Sequence, residues 1–314
     1  AVGGGKQTES NSKEEGYELY KVYRLDARGL LAATANMAMG KGTEKESNYQ
    51  HTELIFLNIE NIHVMRHSLN HLADAMLPGG FVEEGKHLSK IEESGWMNHA
   101  RSILSAAILG AEKLYFEGAS VLSHCSDGWD RTSQVCSLIQ ILIDPYFRTI
   151  KGMAVLIEKD WCAFGHKFED RCGHGNDVSY LPDERSPIFF QFLDVVYQIT
   201  IQFPSEFEYN ENLLLFLADH VYSCMYGNFL GNCMMEREDY IKVKEKTHSI
   251  WNYVISNEIL FKNRQYKCGG ILEVAIWPSL SPKQMKVWSR YFNRWDPTCH
   301  PRAAAAAAAA AVRD

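Results

Sequence analysis

The sequence predicts an α/β fold: a central sheet flanked by helices, followed by a helix-rich C-terminal half. Three observations support this prediction. Residues 19–25 (LYKVYRL) alternate apolar and polar side chains, which is typical of a strand. Residues 53–57 (ELIFL) form a short apolar run that favours a buried strand. A third strand, at 120–123, leads through a tight polar loop into a helix, and such alternation of strand and helix is typical of α/β proteins.

The first strand runs into Asp26 and Arg28 and is followed by a segment without a clear period. Residues 30–50 are rich in Ala, Gly, Lys and Glu and predict a helical turn and a loop. After the second strand, Val64–Met76 predicts a helix that Leu-Pro-Gly-Gly at 77–80 ends.

Two longer helices surround the third strand. Apolar residues recur at helical spacing over 96–117, and Gly118 is a natural stop. A further helix is predicted from Arg131 to about Leu142. Its buried side is expected to carry Val135, Leu138, Ile139 and Leu142.

The second half of the chain predicts mostly helix, from about residue 146 to 295. The expected breaks are Gly173–Gly175, Pro182–Pro187, Pro204 and Gly227–Gly231. No repeat of fixed period and no linker after residue 17 is evident, so we expect one domain over 17–300. Residues 1–16 are polar and predict a flexible arm or loop, and 301–314 form a tail with nine consecutive alanines, Ala303–Ala311.

Composition excludes several classes of protein. The 314 residues are 46% hydrophobic and 23% charged, which is ordinary for a globular chain and argues against disorder. The net charge of −7 gives no reason to expect nucleic-acid binding. The sequence has no run of about 18 apolar residues, which argues against a membrane-spanning helix. The eight cysteines form no CxxC pair and no zinc-like spacing, so we expect free thiols in a reducing setting, and no metal or cofactor.

The segment that indicates a catalytic function is His124-Cys125-Ser126-Asp127-Gly128-Trp129-Asp130-Arg131-Thr132. Five residues between Cys125 and Arg131 can curl so that their backbone N–H groups point inward, forming a cradle for an anion. The N-terminus of the next helix adds partial positive charge at the same place. Arg131 can hold two phosphate oxygens. These features also stabilise a thiolate, which predicts in-line attack by Cys125 on a bound phosphate and a cysteinyl-phosphate product.

Such a reaction also needs proton transfer, and two carboxylates lie in the loop. Asp130 adjoins Arg131 and could donate a proton to the leaving oxygen, then accept one from water; Asp127 is the other carboxylate. Thr132 could hydrogen-bond the departing sulfur, and Gly128 permits the tight curl. The alternative is a buried strand-end cysteine with an arginine at the start of a helix, because a bare Cys-x5-Arg spacing also arises by chance.

HCSDGWDRT resembles the signature of the myotubularin family, lipid phosphatases within the cysteine-based phosphatase superfamily, at every position. The likeness runs from about residue 20 to about 297 and is closest to the active branch whose signature continues as RTSQVCSL. Further similar segments are ENIHVMRHSL (60–69), IEKDWCAFGHKFEDRCGHG (157–175), RSPIFFQFLD (185–194), QFPSEFEYNE (202–211) and GNFLGNCMMERE (227–238).

The resemblance implies a protein tyrosine phosphatase-like fold with a central mixed sheet. It implies cleavage of the D3 phosphate of phosphatidylinositol 3-phosphate and phosphatidylinositol 3,5-bisphosphate. Cys125 would be the nucleophile, Arg131 the phosphate clamp and Asp130 the general acid. The residues implied to bind substrate are Asn36, Asn61, Ser126, Asp127, Gly128, Trp129, Thr132, Lys167 and Arg171.

Lys167 and Arg171 also attract notice without the resemblance. They are four residues apart and would share one helix face, where two cations repel unless an anion lies between them. The alternative is a solvated basic face. His166 and His174 are expected to be structural, and asparagines such as Asn61 most often cap turns.

The resemblance also carries expectations about context. Family members usually have an N-terminal lipid-binding PH-GRAM domain, so we expect this sequence to begin inside the phosphatase domain. We expect the protein to be cytoplasmic and to contact endosomal membranes peripherally. We also expect it to form homo- or hetero-dimers with another myotubularin. Two alternatives remain: a catalytically inactive scaffold subunit, which would lack the signature Cys or Arg, and a protein tyrosine phosphatase that uses the same loop.

Overall fold

A parallel three-stranded sheet organises the N-terminal half of the computed structural model, which describes residues 21–30, 33–34, 42–43, 46–76, 85–175, 182–267 and 274–296. The strands are β1 (Val22–Asp26), β2 (Thr52–Phe56) and β3 (Ser120–His124), in the order β2-β1-β3. The three predicted strands are confirmed within one or two residues where they are described. All pairing among these strands is parallel, so the mixed sheet that we expected is not seen in the described residues.

The central strand β1 is buried because helices cover it. Leu25 lies in register with Ile55 of β2 and Ser123 of β3 and is fully buried. Parallel neighbours need long crossover connections, and helices supply the one between β2 and β3. The carboxyl ends of all three strands therefore lie at one edge of the sheet.

The first half of the chain contains α1 (Ile62–Met76), α2 (His87–Glu93), α3 (Trp96–Tyr115) and α4 (Arg131–Ile143). Helix α1 begins two residues before the predicted start, because Asn61 Oδ1 accepts hydrogen bonds from the backbone N–H groups of His63 and Val64. Helices α3 and α4 pack closely at Gly110, where a Cβ atom would collide with the side chain of Ile139. Helix α2 was not predicted. The predicted stop at 77–80 lies outside the described residues, as does much of 30–50.

The second half is helical, as predicted. Its helices are α5 (Ile150–Ile157), α6 (Phe168–Cys172), α7 (Ile188–Gln202), α8 (Glu211–Ser223), α9 (Val243–Lys246), α10 (Ile250–Ser256), α11 (Glu258–Phe261) and α12 (Ser289–Phe292). Two π-helical turns, Glu158–Ala163 and Glu236–Ile241, lie between them. The expected breaks are confirmed where they are described: α6 ends at Gly173, with φ +70°, and α7 ends two residues before Pro204.

Helix α7 is the centre of the core and supports the start of α4. Eleven of its residues are buried, including the polar side chains of Gln191 and Asp194. Gln134 in the first turn of α4 donates hydrogen bonds to the carbonyl of Ile188 (3.0 Å) and to Gln191 Oε1 (3.1 Å). The loop before α4 is therefore held against the most deeply buried helix.

Several expectations concern residues outside the described ranges: the arm at 1–16, the tail at 301–314 and its alanines, Cys268 and Cys299. The described cysteines are free thiols. None of the helices in the described ranges combines the length and apolarity that crossing a membrane requires.

Candidate active site

The loop between β3 and α4 lies at the carboxyl edge of the parallel sheet. Cys125 directly follows the last residue of β3, and Arg131 is the first residue of α4. Asp26, the last residue of β1, lies in register with Phe56 at the end of β2 and with His124 at the end of β3. The three strand ends therefore meet at the same edge. Ligands of open parallel sheets bind at this edge, where strand ends and helix N-termini meet.

The thiol of Cys125 lies inside the curled loop. Its residue is 8% exposed, and the backbone N–H of Gly128 donates a hydrogen bond to Sγ over 3.2 Å. Gly128 has φ +92°, a conformation that a residue with a side chain rarely adopts. The curl predicted from the spacing is thus present, with an inward N–H group at the sulfur.

The guanidinium of Arg131 is anchored on both sides. Nη1 donates to the carbonyl of Ile59 (3.1 Å), just beyond β2, and Nη2 donates to Ser126 Oγ (3.2 Å) in the loop itself. Arg131 therefore joins the segments that follow β2 and β3, the two outer strands of the sheet. A guanidinium held at two points keeps its planar donor array in a fixed orientation.

Asp130 is buried and fully engaged. Arg171 donates from Nε to Oδ1 (3.1 Å) and from Nη2 to Oδ2 (2.8 Å), and His166 Nδ1 lies 3.2 Å from Oδ1. Burial alone would raise the pKa of Asp130, but hydrogen bonds and charge from His166 and Arg171 outweigh it and lower the pKa to about 2. Asp130 is therefore a carboxylate at neutral pH.

Arg171 and Lys167 each have carboxylate partners of their own. Besides Asp130, Arg171 binds Glu184 through Nη1 (2.9 Å). Lys167 lies 3.5 Å from Asp170 Oδ2 and 4.8 Å from the centre of the Trp129 ring. Each cation thus has a carboxylate of the chain as its counter-charge, so the pair does not require a bound ligand to relieve repulsion. Binding of a second phosphate by the pair stays a prediction.

The other predicted substrate residues fall into four groups. Ser126 and Asp127 are exposed at the loop, whereas Trp129 Nε1 and Thr132 Oγ1 are buried without a hydrogen-bond partner among the described residues. Asn61 uses its Oδ1 to cap α1. Asn36 lies outside the described residues. The loop therefore holds two buried donors that no described protein group satisfies.

His166, which we expected to be structural, contacts the loop that follows β3. Its side chain is fully buried, and Nδ1 lies 2.7 Å from the carbonyl oxygen of Trp129. The only local signal is a histidine beside Lys167 within an aromatic segment. Its contact with the loop spans 37 residues, so spacing could not reveal it. Among the described residues, no group of His, Cys, Asp or Glu side chains is arranged to hold a metal ion.

Comparison with known proteins finds relatives of this chain. Residues 6–238 match the Myotubularin-like phosphatase domain. The chain is 46% identical over 281 residues to phosphatidylinositol-3,5-bisphosphate 3-phosphatase MTMR6 of Mus musculus, covering 90% of this chain and 45% of that protein. It is 48% identical over 282 residues to phosphatidylinositol-3,5-bisphosphate 3-phosphatase MTMR8 of Homo sapiens (90% and 39%). It is 44% identical over 285 residues to Myotubularin of Xenopus laevis (91% and 46%). The chain thus spans less than half the length of these relatives.

Proposed function

The chain belongs to the myotubularin-like phosphatase family, and we propose that it is a phosphoinositide 3-phosphatase. Its substrates would be phosphatidylinositol 3-phosphate and phosphatidylinositol 3,5-bisphosphate, hydrolysed at the D3 position. One observation carries the proposal: in the curled loop the Gly128 N–H donates to Cys125 Sγ, and the anchored guanidinium of Arg131 donates to Ser126, the residue after Cys125. The names of relatives add the lipid class, since MTMR6 and MTMR8 are named as 3-phosphatases of the bisphosphate.

The first step would transfer the phosphoryl group to Cys125. The thiolate attacks phosphorus in line, a P–S bond forms, and the bond from phosphorus to the inositol oxygen breaks. Arg131 and the loop N–H groups hold the phosphate oxygens, whose negative charge they stabilise. The leaving oxygen takes a proton from Asp130, so that an alcohol departs rather than an alkoxide.

The second step would release phosphate. Asp130, now a carboxylate again, accepts a proton from water as the water oxygen attacks phosphorus. The P–S bond breaks and Cys125 leaves as a thiolate, to which the buried hydroxyl of Thr132 can donate a hydrogen bond. No cofactor is needed to balance either step.

The state of Asp130 fits the second step directly and the first step only with substrate bound. In the structure the residue is ionised, because Arg171 and His166 stabilise the carboxylate. A phosphate dianion bound nearby is a like charge and raises the affinity of Asp130 for a proton. Substrate binding would thus help to convert the base into the acid that the first step requires.

Contacts beyond the reacting phosphate would involve the remaining predicted residues. The ring of Trp129 would orient the inositol, together with Ser126 and Asp127. Lys167 and Arg171 would meet the second phosphate of the bisphosphate. Asn61 and Asn36 would add contacts to the sugar.

The wider setting is part of the same proposal. The fold would be that of the protein tyrosine phosphatase-like superfamily, with 17–300 as part of the phosphatase domain. The protein would contact endosomal membranes peripherally from the cytoplasm and could pair with another myotubularin. Family membership and the phosphoinositide named for the relatives support these points.

Phosphate release from short-chain lipids tests the proposal. We expect release from phosphatidylinositol 3-phosphate and little from phosphatidylinositol 4-phosphate, with loss of release in Cys125→Ser. Cys224→Ser, at an exposed thiol, is the matched control and should keep the activity. Equal release from the 4-phosphate, preference for a phosphotyrosine peptide, or no release from folded protein would contradict the proposal.

A further inference from the structure

The side chain of His166 is enclosed by aromatic rings directly beneath the loop. Its ring centre lies 4.9 Å from that of Trp161 and 4.8 Å from that of Phe168, both in edge-to-face geometry. Its side chain is fully buried. A ring held in this way has little freedom to rotate, because packed interiors leave few voids.

One ring nitrogen contacts two successive loop residues. Nδ1 lies 2.7 Å from the carbonyl oxygen of Trp129 and 3.2 Å from Asp130 Oδ1. A carbonyl can only accept a hydrogen bond, so Nδ1 carries the proton and shares it between the two oxygens. Nε2 is buried and has no partner among the described residues.

We propose that His166 is a positioning residue of the phosphatase reaction, whose Nδ1–H fixes the Asp130 carboxylate so that it faces the leaving oxygen. This inference rests on the proposed role of Asp130 in proton transfer. His166 itself would not touch the substrate.

The surrounding groups explain why Asp130 needs a second support. Arg171 holds both carboxylate oxygens, but its guanidinium is shared with Glu184, whose side chain is partly exposed. Within the described ranges, the other hydrogen bond to the Trp129 carbonyl is a long one of 3.4 Å from Ser133 Oγ. His166 is thus the rigid support that holds both the peptide before Asp130 and its carboxylate.

Other charged groups face the same place from each neighbouring element. Lys167 lies over the Trp129 ring and is paired with Asp170, and Arg131 donates to Ser126. None of these groups is shown bonding the Asp130 carboxylate. Removal of His166 would therefore leave Arg171 as the one described hydrogen-bond donor to that carboxylate.

The role can be separated from general structural support by changing the leaving group. An inositol alkoxide leaves slowly unless it is protonated, whereas a nitrophenolate leaves without a proton. A misplaced Asp130 should therefore slow lipid hydrolysis far more than hydrolysis of para-nitrophenyl phosphate. A damaged loop or a partly unfolded protein would slow both.

The experiment compares kcat/KM for short-chain phosphatidylinositol 3-phosphate and para-nitrophenyl phosphate. His166→Phe keeps an aromatic ring but removes the donor, and should lower lipid hydrolysis at least about tenfold while aryl phosphate hydrolysis changes less than about threefold. His166→Asn places an amide N–H near the Nδ1 position and should restore part of the lipid rate; His166→Gln, whose amide lies near the Nε2 position, should not. His174→Phe is the control, because that buried ring contacts the carbonyl of Val221 instead.

Asp130→Asn, measured in parallel, separates failure of this inference from failure of the proposed function. If Asp130→Asn shows no leaving-group selectivity, Asp130 is not the acid, and both that part of the function and this inference fall. If Asp130→Asn is selective but His166→Phe lowers both substrates equally, or neither, only the positioning role is overturned. Should His166→Phe not fold, the order of Asn above Gln decides the question in the same way.

Discussion

Arg171 and Asp130, 41 residues apart in sequence, form a buried ion pair through two parallel hydrogen bonds. The pair joins helix α6 to the loop that carries Cys125. Because both side chains are buried, neither charge can be solvated if the other is removed. The stability of the chain is therefore tied to the group that we propose transfers protons.

Removal of the arginine should be costly. We expect Arg171→Met to lower the free energy of unfolding by about 3–5 kcal/mol, because it leaves a buried carboxylate without its main partner. Arg290→Met is the matched control, since Arg290 forms an exposed pair with Glu211 and should contribute about 0–1 kcal/mol. Urea unfolding measures both. An equal loss in free energy of unfolding in the two variants would show that the buried pair stabilises the chain no more than the pair at Arg290 does.

The depressed pKa of Asp130 predicts how this stability depends on pH. The pKa in the folded chain, about 2, lies below the ordinary value of 3.8, so the contribution is complete above about pH 4 and is lost as the pH falls toward 2. Its size is about 2 kcal/mol. Asp130→Asn should therefore be less stable than the native chain at neutral pH, and the gap should close in acid. Urea unfolding over a series of pH values checks this, and a gap that stays constant would contradict it.

Alanine variants of two glycines with positive φ distinguish an effect on stability from an effect on activity. Gly128 (φ +92°) and Gly118 (φ +61°) both adopt positive φ, and in both places a Cβ atom would meet open space. Alanine at either position should cost about 1 kcal/mol of stability. Only Gly128→Ala should also reduce phosphatase activity, by up to about 100-fold, because the Gly128 N–H contacts the Cys125 sulfur. Similar activity in the two variants would mean that the curl does not position the thiol.

Lys167 provides a test of substrate preference. Its ammonium lies over Trp129 at the edge of the loop and is about one-third exposed, so a second phosphate can reach it. Lys167→Met should raise KM for phosphatidylinositol 3,5-bisphosphate about tenfold and KM for the 3-phosphate less than about threefold. Lys244→Met, at an exposed lysine paired with Glu238, is the control. Equal changes for both lipids would place the second phosphate elsewhere.

The fold near the site was predictable because its signals are local. The strand at 120–123, the polar loop and the helix from Arg131 each follow from neighbouring residues, and their observed bounds differ by one residue. Helix α2 (His87–Glu93) was missed because none of its residues is buried, so it shows no apolar period. Asn61 shifted the start of α1 through a cap that apolar periodicity does not register.

The site was predictable in part. Cys125 and Arg131 lie at the two ends of one loop, and their spacing, together with the strand before it and the helix after it, predicts a phosphate cradle. Asp130 contacts Arg171, in α6, and His166, which lies two residues before α6. Only the folded chain brings these two side chains to the carboxylate. A sequence pattern can indicate that Asp130 is an acid, but the ionisation of the Asp130 carboxyl group in the ligand-free protein depends on these long-range contacts.

The most direct test of the central claim is to trap the cysteinyl-phosphate. The protein is mixed with para-nitrophenyl phosphate, denatured rapidly and digested, and the peptide containing Cys125 is examined by mass spectrometry. We expect one phosphoryl group on Cys125, accumulating in Asp130→Asn because water is no longer activated, and absent in Cys125→Ser. Turnover of substrate by the native chain without any phosphorylated Cys125, in the native chain or in Asp130→Asn, would contradict covalent catalysis at this loop.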